Sequence, residues 1–574
     1  MPRVCRVAPD LTAVERAFDY VVPDAIAPMV RVGAIVRVPL HGRRVRGWVV
    51  ADDVTPETPD RLLELLAVAS NGPPAGVVDL AGWIAWRWSG PKIAVLRSAS
   101  PPNRVAPTPT QVEPASMSPL TPDSLTPVRS VVVRRPPLAD RRELVAAMCA
   151  ADGSTLVAVA DGSRARSLAH YLRGTGREVA LVHSDESDAA RTAAWRRAEQ
   201  GRCVVLGGRS AALAPVPDLG AAIVVDDADE ALQEERSPTW HAREVLYERA
   251  ARAGAAWSVV SPAPTVEALA VPGVEVDALA PDMEARGWPR ALVVDRREEP
   301  PGAGLLTESL ADALRDADGP AVCVLNRRGR FRVLACEACH ALLRWDRAAE
   351  RPMICDECGA TRLRVLRAGV TRVREELEAL FPRLRVVDVD AATAEVGDAD
   401  IVIGTESVLH RPELRRRRPS VVAFLDLDQE LLAPRYRVAA QAQWLTTRGA
   451  QLLAGRPREE TRLVVQTRQP DHEVVRALVK GHPALVSDAE CERRRALGFP
   501  PFGALAELSG DDAAVLAAID ALRGNGAIQA LGPTDGRALV VAPDAAVLAD
   551  ALAPAHAAGR AAGRMRTVVD PPRV

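Results

Sequence analysis

Residues 335–340 read ACEACH and residues 353–360 read MICDECGA, which sets Cys336 and Cys339, then Cys355 and Cys358, as two C-x2-C knuckles separated by fifteen residues. At that spacing four thiolates can close round one tetrahedral zinc, with a short β-ribbon in the gap. Two unrelated thiol pairs, one of them redox-active, is the alternative. Gly359 favours the metal, because a knuckle turn needs a residue that tolerates positive φ. A four-thiolate site is coordinatively closed, so it holds a shape and performs no chemistry. Its metal contributes folding energy on the order of 10 kcal/mol, enough to order a ribbon with little core of its own. The fold question becomes what body carries this ribbon.

That body is large. The chain has 574 residues and a net charge of −2, so it makes several domains and has no bulk electrostatic attraction for nucleic acid. Any such surface must be local. Lys92 and Lys480 are the only lysines; arginine supplies the rest of the positive charge. Cys5, Cys149, Cys203, Cys323 and Cys491 are scattered, as expected of buried hydrophobes in a reduced compartment. No apolar signal core opens the chain and no run of about eighteen apolar residues occurs, which predicts a cytoplasmic protein without membrane partners.

Outward from the ribbon, the pattern predicts a multidomain α/β chain. Residues 1–104 read as a β-rich domain, with β-branched runs at 34–38 and 47–50 broken by Gly33, Pro39 and Gly42. Between them HGRRVRG reads as a hairpin tip carrying Arg43, Arg44 and Arg46, either a phosphate grip or a solvated turn. Trp83, Trp86 and Trp88 could stack on bases, but the spacing of the first two favours a helix packing into a core. Residues 105–130 lie in a proline-rich linker. Residues 131–272 form a first α/β lobe, with near-continuous aliphatic strands at 131–133, 156–160, 179–183, 203–207, 222–226 and 257–261. Residues 273–469 form a second, with strands at 322–325, 386–389, 401–404, 421–425 and 463–466. The ribbon, 331–366, is inserted after the first of these. Val370, Val373, Leu377 and Leu380 make the apolar stripe of a helix returning to that lobe. Residues 470–574 form a C-terminal α+β domain.

Two consecutive α/β lobes suggest a nucleic-acid motor, and a motor needs a phosphate loop after the first strand of the first lobe. That place reads VVVRRPPLADRRELV, residues 131–145, with no glycine and with two N–H donors removed by Pro136 and Pro137. Neither lysine precedes Ser or Thr. Arg141 stands near the lysine's place, but a forked guanidinium does not replace a compact ammonium there. Asp226 and Asp227 in IVVDDADE occupy the strand end where a motor holds Mg2+; without a phosphate loop they read first as caps or turn residues. His183 reads as a strand-end hydrogen-bonding residue.

In chain order FDYVVP and VRVPLHGRR, LVHSDES, GGRSAALAPVPDLGAAIVVDDAD, TWHARE, LNRRGRF, IVIGTESVLH, FLDLDQELLAPRYR, QTRQPDHEVVRAL, RRRALGFPPFG and RTVVDPP resemble the motifs of the primosomal protein N′ (PriA) family of replication-restart helicases. The resemblance implies an N-terminal domain that binds 3′ DNA ends, two RecA-like lobes with the zinc ribbon inserted in the second, and a C-terminal α+β domain. Phe18, Asp19 and Gly42 fall where the family holds the 3′-terminal nucleotide: an aromatic face for the base and a carboxylate for the 3′-hydroxyl. Arg43, Arg44 and Arg46 would add phosphate contacts, and the run Arg415–Arg418 is either another backbone contact or a solvated loop. The implied partners are replication forks, D-loops and 3′ ends, primosome and helicase-loading proteins, and single-stranded DNA-binding protein.

The departures bear on activity. The family's phosphate-loop residues are missing, its acidic box is reduced to Asp226-Asp227-Ala228-Asp229, and WLTTRGAQLLAGRP keeps only Gly455-Arg456 of its last motif. Arg141, Asp226 and Asp227 thus mark a degenerate nucleotide site. The family carries eight cysteines and two zincs; this chain keeps what look like the outer four, which implies one Zn2+. A proline linker replaces the winged helix, so the chain resembles the shortened, motor-less members known in actinobacteria. The expected function is a fork-binding scaffold that promotes primosome assembly and is not an enzyme. The alternatives are an active ATP-driven 3′–5′ helicase and a general zinc-ribbon DNA-binding adaptor.

Overall fold

The computed structural model describes residues 2–11, 16–58, 61–107, 128–300, 303–326, 332–336, 338–339, 342–345, 355, 357–360, 363–367, 370–389, 393 and 395–574. The linker expected at 105–130 and the LNRRGRF motif lie mostly outside these residues. The chain divides into two compact units. The first comprises Met1–Val133, Arg141–Asp277 and Glu492–Val574; the second comprises Arg134–Asp140 and Ala278–Cys491.

The first unit opens with a six-stranded sheet in the order Leu63–Glu64, Phe18–Val21, Val4–Pro9, Arg43–Asp52, Ile35–Leu40, Ala67–Ser70. Alternation gives it two apolar faces. Cys5, Val7, Tyr20, Val36, Val38 and Val49 fill one; Ile35 and Trp48 on the other pack with helices Ala75–Arg87 and Lys92–Ala99. The central hairpin turns on two residues, His41 and Gly42, at φ 46° and 75°. That primed turn suits the twist of the strands it joins and needs glycine's freedom at its second position. The helix expected at the tryptophans forms, with Trp83 packed on the core edge-on to fully buried Trp88 at 5.5 Å, but Trp86 does not join the core: it is exposed and donates its Nε1–H to Asp550 Oδ1 at 2.8 Å.

The first lobe is a seven-stranded sheet ordered Glu275–Ala278, Ser130–Arg134, Ala256–Ser261, Leu219–Val225, Ser154–Val159, Val204–Gly207, Val179–Leu181. The last five pair in parallel, as fully aliphatic strands covered on both faces must. All six predicted strands appear, and Glu275–Ala278 extends the sheet beyond residue 272. The C-terminal segment is an antiparallel four-stranded sheet, Gln529–Thr534, Arg537–Ala542, Ala504–Gly510, Met565–Val569, with helices Asp512–Leu522 and Ala545–Ala562. One continuous core runs from Trp48 and Trp88 through Leu156 and Trp257 to Val515 and Val540, so these parts form a single body. Buried Arg87 joins them in charge as well, meeting Asp570 at 2.8 Å and Glu244 at 3.2 Å.

The second unit holds an all-parallel six-stranded sheet ordered Arg290–Asp295, Arg462–Thr467, Val421–Phe424, Ala321–Val324, Ile401–Gly404, Val386–Val389. Arg290–Asp295 corrects the sequence expectation: it opens this lobe, so the ribbon follows the second strand, not the first. It is an edge strand, half-exposed and flanked by charge, and lacks the buried aliphatic run that marks its neighbours. Helix Val370–Leu380 buries Val370, Val373 and Leu377, whereas Leu380 faces solvent. Helix Glu473–Lys480 belongs to this unit and the first unit resumes at Glu492, later than the boundary near 470.

Candidate metal centre and nucleic-acid interface

The ribbon is three antiparallel strands, Leu342–Trp345, Arg332–Cys336 and Leu363–Arg367, with Arg332–Cys336 central. At its end the four sulfurs of Cys336, Cys339, Cys355 and Cys358 all lie within 4.8 Å of one another. Cys336 and Cys358 are 3.5 Å apart, as are Cys339 and Cys355. Zn–S bonds of about 2.3 Å would set tetrahedral sulfurs about 3.8 Å apart, so this donor set can hold a metal ion and its chemistry suits zinc. The knuckles are built from backbone. Ala338 donates its N–H to Cys336 Sγ at 3.4 Å, and Gly359, at φ 71°, donates to the Cys355 carbonyl at 2.8 Å. The backbone N–H of Cys339 is the main influence that draws the Cys336 thiol down to about 7, toward the thiolate a metal takes.

Where a motor would place its phosphate loop, the chain leaves strand Ser130–Arg134 and enters the second unit. Arg134 makes a forked pair with Glu284, Nε to Oε1 at 2.7 Å and a terminal nitrogen to Oε2 at 3.1 Å, and Glu284 is fully buried. Leu138 donates its N–H to the Gly287 carbonyl at 3.2 Å and packs on the second unit's core. Pro136 lies so close to Gly287 that a Cβ there would meet its Cγ at 2.2 Å. The segment is a docked strap. In the first unit, Arg141 holds Asp226 through both oxygens at 2.6 and 3.2 Å, and Arg164 takes Asp226 Oδ2 from the other side. Asp227 is buried behind it, accepting from the Thr265 hydroxyl and N–H, and burial raises its carboxyl to about 6. Asp229 caps the short helix Glu230–Leu232. His183 has both ring nitrogens engaged, Nε2 with the Ala160 carbonyl at 3.1 Å and Nδ1 with the Asp185 N–H at 3.2 Å.

The N-terminal candidates lie on strand Phe18–Val21 and at the hairpin tip. Phe18 pairs in register with Val7, so its ring lies half-buried on the sheet's core face, with the Arg16 guanidinium 5.8 Å from its centroid. Asp19, opposite Arg6, accepts from Arg6 Nε at 2.8 Å, from its terminal nitrogen at 3.2 Å and from the Glu57 N–H at 3.0 Å. The sheet curls so that strand Phe18–Val21 reaches the Ile35–Leu40 arm of the hairpin: the Tyr20 hydroxyl donates to the Pro39 carbonyl at 3.2 Å. The tip is His41-Gly42; Arg43, Arg44 and Arg46 stand on the strand after it, which corrects their placement in the turn. Arg46 lies over the Trp48 ring at 5.1 Å. In the second unit, Arg417 is tied to the Gly397 carbonyl at 3.0 Å, which makes that end of the arginine run structural.

The Arg6 hydrogen bond holds the Asp19 carboxyl below its usual range. A depressed carboxyl contributes stability above its unfolded value and loses it as pH falls through the folded one. The difference in thermal midpoint between wild type and Asp19→Asn is therefore expected to be constant near neutrality and to disappear below about pH 4. A difference unchanged in acid would mean the ion pair is not its source.

The family model for the 3′ DNA-binding domain (3′BD) matches residues 6–101, the β-sheet and two helices just described. "Replication restart protein PriA" of Treponema pallidum (strain Nichols) is 30% identical over 375 residues, 58% of this chain and 56% of that protein. "Probable replication restart protein PriA" of Mycobacterium leprae (strain TN) is 28% identical over 589 residues, 91% of this chain and 89% of that protein. Over most of its length the chain is similar to PriA replication-restart proteins. Among solved structures, RecG bound to a three-way DNA junction is similar at 12% identity and a TM-score of 0.36, covering 65% of this chain and 47% of that one. The sequences carry this similarity, and the structure shows two lobes each built on a parallel sheet.

Three residues that matter to this chain escaped the sequence. Arg164, Glu284 and Arg6 each pair with a partner distant along the chain, and no local spacing announces such a pair. Among the described residues no helix is long and apolar enough to cross a membrane.

Proposed function

We propose that this chain is a replication-restart scaffold that binds forks at a 3′ DNA end and promotes loading of the replicative helicase without hydrolysing ATP. The supporting observation is the fate of the motor's nucleotide elements. The segment that would cradle phosphates is docked on the second unit through Arg134 and Glu284. The acid that would hold Mg2+ is neutralised by Arg141 and Arg164. A carboxylate already carrying two guanidiniums has no charge left for a divalent ion. The ribbon, with one zinc on Cys336, Cys339, Cys355 and Cys358, is a rigid projection for partner contacts.

Hydrolysis of ATP by the full chain, with and without single-stranded DNA, is expected to stay at the protein-free background, while forks ending in a 3′-hydroxyl bind more tightly than forks ending in a 3′-phosphate. DNA-stimulated turnover at a few per second would establish the helicase alternative. Equal affinity for the two forks would leave the general adaptor.

A further inference from the structure

The hairpin register sets Arg37 directly opposite Arg46 and Pro39 opposite Arg44. Strand alternation puts Arg37, Arg44 and Arg46 on one face, the face whose other end, Ile35 and Trp48, is covered by helices. Like charges directly opposed across an antiparallel pair are destabilising. Only Asp10 tempers this one among the described residues: its Oδ2 lies 4.0 Å from Arg46 Nε, and its Oδ1 is taken by Arg97 at 2.6 Å. Arg37 and Arg44 are exposed, and among the described residues neither side chain has an ion-pair or hydrogen-bond partner. In a chain of net charge −2, this is an uncompensated local concentration of positive charge.

We propose that Arg37, Arg44 and Arg46 form a phosphate-binding stripe that takes the backbone of duplex DNA; this deepens, and rests on, the DNA-binding reading above. Arg44 and Arg46 are two strand residues apart, about 6.8 Å, a step comparable to that between phosphates along one strand. Arg46 is held along the sheet by the Trp48 ring, so its position is fixed before DNA arrives. The face offers no aromatic stacking platform, because Trp48 is fully buried beneath Arg46. A surface of guanidiniums without rings suits a paired backbone, not unstacked bases. Arg37 is the residue that the sequence motif alone did not single out.

The test is the salt dependence of full-chain binding to a blunt duplex and to a single strand of the same sequence. For the Arg37→Ala/Arg44→Ala double variant, the slope of log K against log[salt] on duplex is expected to fall by about 2, and affinity at 0.1 M salt by on the order of 50-fold. Arg523→Ala, an exposed charge in the C-terminal segment, should leave the slope unchanged. Arg37→Lys in place of Arg37→Ala should restore most of its share, and thermal midpoints near wild type would exclude misfolding. A duplex slope that the double variant keeps, or a loss confined to single strands, overturns the stripe. A wild-type slope near zero on both probes overturns the DNA-binding reading itself.

Discussion

The Cys355→Ser protein is expected to emerge from purification with a metal content near zero, and with the ribbon open to protease between residues 332 and 367, while both α/β lobes stay folded. The reasoning starts from the sulfur positions. Cys336 and Cys355 are buried, Cys339 and Cys358 exposed, and all four must supply thiolates to close a tetrahedron. A serine hydroxyl stays protonated at neutral pH and is a poor ligand for a metal that prefers sulfur. With three ligands left, the site loses much of a binding energy on the order of 10 kcal/mol, and three strands of four or five residues cannot replace that from their own packing. The second lobe does not depend on the metal. Its core is built from Cys323, Val373, Leu377, Ile401, Ile403 and Ala423, all buried on the parallel sheet and its helices. Elemental analysis alongside limited proteolysis reads both halves of the expectation. Unchanged zinc stoichiometry would mean that the four sulfurs are not the ligands, and loss of the lobes together with the ribbon would mean that the insertion is part of their fold.

What could be read in advance follows from how each feature is encoded. The spacing of the four cysteines and the aliphatic runs at Leu156–Val159, Val204–Leu206 and Ile223–Val225 are local signals, and the structure uses them as expected, as a sulfur cluster and as strands buried on both faces. Glu275–Ala278 is an edge strand with all four residues exposed, so hydrophobic pattern is silent there; Arg290–Asp295 is half-exposed, with Ala291, Val293 and Val294 only partly buried against the cores, and its pattern is weak for that reason. The candidate sites divide the same way. That RRPPLAD lacks two backbone donors was legible, because proline has no N–H. Where it goes was not legible, because Glu284 lies 150 residues beyond Arg134. Asp19 was legible as an acid beside an aromatic residue. Its capture by Arg6 depends on the register of two strands, which single residues do not announce.

Asp226→Asn separates the structural and catalytic accounts of this strand-end acid, and is expected to cost about 3–5 kcal/mol of stability while leaving ATP hydrolysis where it stands in the wild type. In a working motor the acid at this strand end holds Mg2+, so neutralising it abolishes turnover and spares the fold. Here the carboxylate is only 5% exposed and holds Arg141 and Arg164, whose side chains are 12% and 18% exposed. Asparagine keeps the shape and one acceptor oxygen but removes the negative charge that the two part-buried guanidiniums of Arg141 and Arg164 share. The backbone does not confuse the experiment, because Asp226 sits at φ 58° and asparagine tolerates that left-handed conformation as readily as aspartate. Chemical denaturation of the two proteins, followed by a probe in the first unit such as Trp257, measures the cost directly. Equal stability would remove the clamp as a structural element. Wild-type turnover that disappears in the variant would return Asp226 to the metal and the chain to the helicases.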